Sequence, residues 1–177
     1  MTRGHVFIAT SLDGFIARPD GRLDWLLSRG DPAEDHGYEA FIAGMDCIIM
    51  GRGTYDAVRS FPDWPYTLPV LVLSQQLAQQ PVPENLQGKV TFAAHGPEQA
   101  MRHLADKGHR KAYVDGGQIV QSFLRAGLID SLTITTAPVL IGQGRPLFGA
   151  LPKDIPLRHK ATRSFPSGLV QSTWAVA

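Results

Sequence analysis

The sequence has a single cysteine among 177 residues, Cys47, and few histidines. One cysteine excludes an internal disulfide and a zinc site built from several cysteines. None of the six histidines lies four residues from another, and no H-E-x-x-H pattern occurs. We therefore predict no bound metal. Because Cys47 lies in an apolar run, residues 47–50, we interpret it as a buried structural thiol.

Strong net charge and long apolar runs are also missing. Seventeen basic side chains balance sixteen acidic ones, and no basic run resembles a nucleic-acid-binding tail. No apolar run reaches the ~18 residues of a membrane span, and the apolar part of the N-terminal segment is too short for a signal peptide. With 44% hydrophobic residues, the chain is predicted to be one cytoplasmic domain, residues 1–177, that binds neither membranes nor nucleic acid.

The sequence does contain short apolar runs that alternate with stretches of helical spacing. This alternation predicts an α/β fold with a largely parallel sheet. Residues 164–168 predict a hairpin turn, so the sheet is expected to end antiparallel. The predicted strands are residues 6–9, 47–50, 70–73, 90–94, 111–114, 131–141, 157–165 and 169–176. The predicted helices are residues 32–43, 54–59, 97–107 and 118–126.

Two glycine-containing turns each follow a predicted strand and precede a predicted helix. The first is Gly51-Arg52-Gly53-Thr54 and the second contains Gly116 and Gly117. A strand-to-helix turn directs free backbone N–H groups toward an anion such as phosphate. A glycine pair alone is explained equally well by a tight turn. Two such turns at neighbouring strand ends would form a cradle wide enough for a dinucleotide.

In order and spacing, residues 49–55, 72–75 and 114–117 resemble the cofactor motifs of dihydrofolate reductases. Residues 11–17 and 137–144 are more similar to the reductase half of bacterial riboflavin deaminase-reductases, the RibD C-terminal domain, and to its stand-alone relatives. The resemblance covers nearly the whole chain. It implies a dihydrofolate reductase-like three-layer α/β/α fold with a mixed, mostly parallel sheet of about eight strands and an antiparallel C-terminal hairpin.

The resemblance implies that NADPH is the cofactor. Arg52 would bind its 2′-phosphate, since a guanidinium matches a phosphate in charge and geometry. The second glycine turn, where related proteins often have a cis peptide, would cover the pyrophosphate. The implied cofactor-binding residues are Ala9, Thr10, Ile16, Gly51, Arg52, Gly53, Thr54, Leu73, Ser74, Gln75, Asp115, Gly116, Gly117, Gln118, Ile119 and Val120.

Two carboxylates are candidates for the proton donor that hydride transfer to a C=N bond requires. Counting back from Met50, Asp35 falls where dihydrofolate reductases have an acidic residue, and a carboxyl in an apolar pocket has the raised pKa that favours proton delivery. It could equally belong to an acidic first helical turn. Asp13 is the other candidate, or else a turn residue. The implied substrate-binding residues are Ser11, Tyr38, Phe41, Thr135 and Arg145.

The resemblance implies an NADPH-dependent reductase of a small heterocycle, with 5-amino-6-(5-phosphoribosylamino)uracil as the nearest family substrate. There is no deaminase half, because its P-C-x-x-C signature needs more than one cysteine. The start of the substrate helix in dihydrofolate reductases is replaced by residues 23–26. Reduction of dihydrofolate or another pterin stays an alternative, as does a catalytically silent NADPH-binding protein. We also expect a homodimer formed by the C-terminal strands and the loop at residues 142–148.

Overall fold

The computed structural model describes all 177 residues and is built around an eight-stranded sheet. The strands are β1 (Arg3–Ser11), β2 (Phe15–Ala17), β3 (Cys47–Gly51), β4 (Val70–Leu73), β5 (Val90–Ala93), β6 (Lys111–Asp115), β7 (Ile129–Ala137), β8 (Arg145–Pro146), β9 (Leu157–Ser164) and β10 (Val170–Val176). The helices are α1 (Asp24–Leu27), α2 (Tyr38–Ala43), α3 (Arg52–Val58), α4 (Pro97–Asp106) and α5 (Gly117–Arg125). Two 3₁₀ turns lie at Leu77–Gln79 and Glu84–Leu86.

The sheet has the strand order β5-β4-β3-β6-β1-β7-β10-β9. Its first six strands pair in parallel, whereas β10 is antiparallel to both of its neighbours. The parallel strands are apolar because helices cover both sheet faces. Along β3, Cys47 and Ile49 pack into one core cluster while Ile48 and Met50 pack into the other. The predicted three-layer fold with an antiparallel C-terminal hairpin is confirmed.

The predicted helix at residues 32–43 is wrong over its first half, since α2 begins only at Tyr38. The Asp31 carboxylate accepts a hydrogen bond from the Ala33 amide, and the Asp35 carboxylate accepts one from the Gly37 amide. Such local bonds compete with helix formation. Gly37 also has a φ of +83°, which a helix does not allow. The segment is instead fixed to the C-terminal hairpin, where Ser167 donates to the Glu34 carboxylate from its amide and its hydroxyl.

Other boundaries also differ from the sequence prediction. The strand predicted at residues 131–141 ends at Ala137, because Pro138 has no N–H to continue the ladder. The short elements β2, β8 and α1 were not predicted. The β2 and β8 strands pair with each other as a separate two-stranded sheet. All peptide bonds are trans, including those at the glycine pair, where related proteins often have a cis peptide.

Two kinds of feature are absent from the structure. None of its helices combines the length and the apolar character needed to span a membrane. No group of three or more histidine, cysteine, aspartate or glutamate side chains comes together as a potential metal site.

Candidate functional site

The two glycine turns predicted from the sequence lie against each other at the carboxyl edge of the sheet. Met50 and Asp115 are register partners in β3 and β6, so each turn begins at the same level. Gly116 has a φ of +98°, and a Cβ atom there would lie 2.9 Å from Thr54 Oγ1. On Gly117, a Cβ would lie 2.6 Å from the Pro146 carbonyl oxygen. Both positions therefore require glycine.

We call residues 51–54 and 116–119 the glycine cradle. The first amides of α5 have no side-chain cap, so they are free to donate to a ligand. Because Gly116 and Gly117 have no side chains, the backbone of the second turn can lie close to Thr54 and to Pro146. These features suit the pyrophosphate of a dinucleotide, which needs several backbone donors at short range.

Arg52 lies at the outer end of the cradle, beside the end of β4. Its Nε atom is 3.2 Å from Asp56 Oδ2, and its Nη1 atom donates to Gln76 Oε1. Ser74, predicted to bind the same phosphate, accepts a hydrogen bond from the Leu77 amide through its hydroxyl. The contact with Gln76 was not predicted, since the family motif ends at Gln75.

Several predicted cofactor residues lie around the inner end of the cradle. Ile16 packs on the second turn, with its Cδ1 atom 3.2 Å from a Cβ built on Gly117, and Ile119 packs against Gly51. Ala9 and Thr10 lie near the carboxyl end of β1. Gln118 is exposed. Val120 is fully buried in the hydrophobic core, and the half-buried Leu73 packs against the same core cluster as Ile16 and Ile119.

Asp35 does not lie in an apolar pocket. Its side chain is exposed, and one carboxylate oxygen accepts the hydrogen bond from the Gly37 amide at 2.8 Å. The interpretation of Asp35 as a buried proton donor is therefore wrong. So is the alternative of a first helical turn, since the carboxylate closes a turn before α2.

The second candidate, Asp13, connects the turn after β1 to the loop at residues 138–144. Its carboxylate accepts hydrogen bonds from the Ser11 hydroxyl at 2.6 Å, the Gly142 amide at 2.8 Å and the Ile141 amide at 3.2 Å. The bond from Ser11 is the main reason that the pKa of Asp13 is lowered, and the two amides lower it further. A carboxylate held in its charged form is a poor proton donor.

Replacing Asp13 with alanine is therefore expected to free the loop at residues 138–144. Hydrogen exchange at the Ile141 and Gly142 amides should accelerate, because both lose their acceptor. Amides in β3 serve as an internal reference that should not change. Unchanged protection at both loop amides would show that Asp13 does not hold the loop.

Asp115, at the end of β6, is the carboxyl group whose surroundings suit proton donation. Burial raises its pKa to about 6, against the opposing effects of hydrogen bonds from the Gly116 amide and the Tyr113 hydroxyl. The Tyr113 hydroxyl also donates a hydrogen bond to the Phe7 carbonyl oxygen at 3.1 Å. From the sequence, Asp115 was predicted only to bind the cofactor.

Aromatic side chains lie close to Asp115. The Tyr38 and Phe41 rings, both predicted to bind substrate, lie 6.3 Å and 5.2 Å from the Tyr113 ring. Burial raises the pKa of Tyr38, Tyr66 and Tyr113, and the negative charge of Asp115 raises each further. Of these, Tyr66 and Tyr113 were not predicted. Tyr66 is distant from Asp115 in the chain, whereas Tyr113 lies two residues before it in β6 and on the same face of the strand.

The other predicted substrate residues are placed differently. Ser11 is buried and bonded to Asp13, and the buried Thr135 hydroxyl accepts a hydrogen bond from Gln171 Nε2 at 2.9 Å. Arg145 is exposed on β8. Its guanidinium lies beside Gly53, in the cofactor half of the site.

Comparison with known proteins identifies the family to which the chain belongs. The family model of the RibD C-terminal domain matches residues 4–171. The chain belongs to this family. It is 35% identical over 166 residues to the uncharacterized protein YwjB of Bacillus subtilis, covering 90% of each chain. It is 28% identical to the riboflavin biosynthesis protein RibD of Corynebacterium ammoniagenes, covering 81% of this chain but only 46% of that protein.

Solved structures agree with the RibD C-terminal assignment. A Shewanella sp. PV-4 protein, assigned provisionally to riboflavin biosynthesis, superposes with a TM-score of 0.92 at 39% identity over 99% of both chains. A Thermotoga maritima deaminase and 5-amino-6-(5-phosphoribosylamino)uracil reductase superposes with a TM-score of 0.76 at 13% identity, and the match covers 99% of this chain and 57% of that one. The second likeness shows the shared dihydrofolate reductase-like fold.

Proposed function

We propose that this chain is an NADPH-dependent reductase that acts on a C=N or C=O bond of a small heterocycle. One juxtaposition carries the proposal: the glycine cradle ends directly at Asp115, the carboxyl group whose pKa burial raises to about 6. A dinucleotide site and a proton donor are the two parts that such a reduction needs.

In this proposal NADPH, when bound, supplies the hydride. The cradle amides would hold its pyrophosphate, and Arg52 would bind its 2′-phosphate. Ile16, packed on the second turn, would help to exclude water from the reacting end of the cradle. Asp115 would donate a proton to the substrate atom that gains charge as its double bond is reduced.

We propose 5-amino-6-(5-phosphoribosylamino)uracil as the substrate class. Membership of the RibD C-terminal family and the names of the RibD relatives support this choice. The rings of Tyr38 and Phe41 offer flat apolar surfaces for a pyrimidine near Asp115.

The test is NADPH oxidation measured with this phosphoribosyl compound and, in parallel, with dihydrofolate. Turnover of the first compound alone is the expected result. Turnover of dihydrofolate alone would replace the proposal by the pterin alternative. Tight NADPH binding without turnover of either compound would indicate a catalytically silent binding protein.

We also propose that the chain forms a homodimer through its C-terminal edge. All eight residues of the edge strand β9 are exposed, and so are the apolar side chains of Phe148 and Leu151. The free edge of β9 presents backbone N–H and C=O groups that a second copy could pair with. Light scattering at micromolar concentration should therefore give about twice the chain mass of 19.3 kDa. A monomer under these conditions would rule the dimer out.

A further inference from the structure

The guanidinium of Arg145 lies between two glycines that belong to different segments. A Cβ built on Gly53, in the first turn of the cradle, would lie 3.6 Å from Arg145 Nη1. On Gly21, in the loop after β2, a Cβ would lie 3.4 Å from both Nη1 and Nη2. The pairing of Ala17 with Arg145 fixes the backbone of β8 next to this loop. Arg145 therefore closes the gap between the loop at residues 18–22 and the cradle.

Arg145 has no carboxylate partner, in contrast to the arginines of the neighbouring loop. Arg18 is paired with Asp24 at 2.7 Å, and Arg22 with Asp20 at 2.6 Å. The only hydrogen bond from Arg145 is a long one, 3.4 Å from Nε to the Pro19 carbonyl oxygen. The positive charge of Arg145 is therefore not compensated by a carboxylate. It lies beside Gly53 and Gly21, which have no side chains.

The residue that follows Arg145 contacts the other half of the cradle. The Pro146 carbonyl oxygen lies 2.6 Å from the position of a Cβ on Gly117, while Arg145 lies beside Gly53. The dipeptide β8 therefore spans both turns. Arg52 instead points outward to Gln76, at the end of β4. The two arginines thus reach different parts of an extended ligand.

We infer that Arg145 binds the pyrophosphate of the dinucleotide, and that it does not bind the substrate or the 2′-phosphate. This inference rests on the proposed function. A guanidinium is suited to the task because its forked donors can reach oxygens of both phosphoryl groups. The contact would also hold the loop at residues 18–22 over the bound cofactor.

The test is the equilibrium affinity of wild type and Arg145→Gln for NADPH, NADH and ADP-ribose. Nicotinamide fluorescence reports the first two, and ADP-ribose is measured by displacement of NADPH. All three ligands contain the pyrophosphate, so all three should bind about tenfold more weakly to the variant. Arg145→Lys, which keeps the charge but not the fork, should lose less. Arg3→Gln removes an equal charge from an arginine that is already paired, with Asp130 at the start of β7 and away from the cradle, and it should change little.

The possible outcomes separate this inference from the proposed function. A loss confined to NADPH would assign Arg145 to the 2′-phosphate, and unchanged affinities with a raised KM for the phosphoribosyl substrate would assign it to the substrate. Either result overturns the inference, as does equal binding by wild type and Arg145→Gln with no change in KM. If wild type binds none of the three dinucleotide ligands, the proposed function fails and this inference fails with it.

Discussion

Replacing Asp115 with asparagine is expected to lower kcat by roughly 10²- to 10⁴-fold, the range that a positioned proton donor contributes. Asparagine occupies nearly the same volume but has no acidic proton. NADPH affinity should change little, because the cradle amides and Arg52 remain in place. Steady-state turnover at saturating NADPH, compared with binding by nicotinamide fluorescence, separates the two effects.

The pH dependence of the wild type provides a second readout for Asp115. Burial raises the pKa of this carboxyl to about 6, so the donor form is lost as the pH rises through that value. The kcat/KM of wild type should therefore decline above pH ~6, and this decline should be missing from the residual activity of Asp115→Asn.

The same substitution should stabilise the fold at neutral pH. In the unfolded chain Asp115 releases its proton near its ordinary pKa of 3.8, whereas in the folded protein it keeps the proton up to about pH 6. The folded state binds more protons in this window, so stability falls as the pH rises through it. Asparagine does not ionise, so Asp115→Asn avoids this loss of folding stability, which is roughly 1 to 3 kcal/mol at pH 7 after allowance for solvent screening. Thermal unfolding should show the difference at pH 7 and its disappearance below pH ~4.

Asp35→Asn is the matched control, since it makes the same chemical change at an exposed carboxylate bonded only to the Gly37 amide. Its turnover should stay within a few-fold of wild type. If Asp35→Asn abolished turnover and Asp115→Asn did not, the proton donor proposed here would be incorrect.

Replacing Arg52 with alanine is expected to weaken NADPH binding by roughly ten- to a hundredfold and to leave NADH nearly unaffected. A charge-assisted hydrogen bond is worth about 1.5 to 3 kcal/mol, and NADH lacks the phosphate that would accept it. Because the arginine is exposed, added salt should reduce the preference of wild type for NADPH. Fluorescence titration of both cofactors at two salt concentrations measures each effect.

Arg59→Ala is a suitable control for Arg52→Ala. Arg59 directly follows α3 and contacts the same carboxylate, with its Nε atom 3.4 Å from Asp56 Oδ1. Its loss removes one positive charge without touching the cradle, so the NADPH preference should persist. Equal losses of NADPH and NADH in Arg52→Ala would mean that Arg52 supports the fold or the shared pyrophosphate.

The elements that could be predicted from the sequence are those marked by neighbouring residues in the chain. The strands β3 and β4 are short apolar runs that end at turn residues, and both glycine turns follow directly from the sequence. The environment of Asp115 was not predictable in this way. It is formed by Tyr38 and Tyr66, which are distant in the chain and come together only when α2 packs on the sheet.

Two of the predicted site residues, Asp35 and Arg145, lie in segments that lack periodicity. Asp35 was placed by counting back from Met50 to the acidic position of dihydrofolate reductases, but the Asp31 and Asp35 carboxylates accept hydrogen bonds from the Ala33 and Gly37 amides and form turns there. Arg145 was assigned to the substrate from the family resemblance, and it lies on the two-residue strand β8, which is too short to leave a pattern in the sequence. Its pairing with β2 moves the guanidinium to the cofactor half.

A crystal structure with NADPH bound tests the central claim most directly. We expect the pyrophosphate between residues 51–54 and 116–119, the 2′-phosphate on Arg52, and the nicotinamide beside Asp115. A pyrophosphate elsewhere, or a nicotinamide whose open face meets a different acidic group, would contradict it.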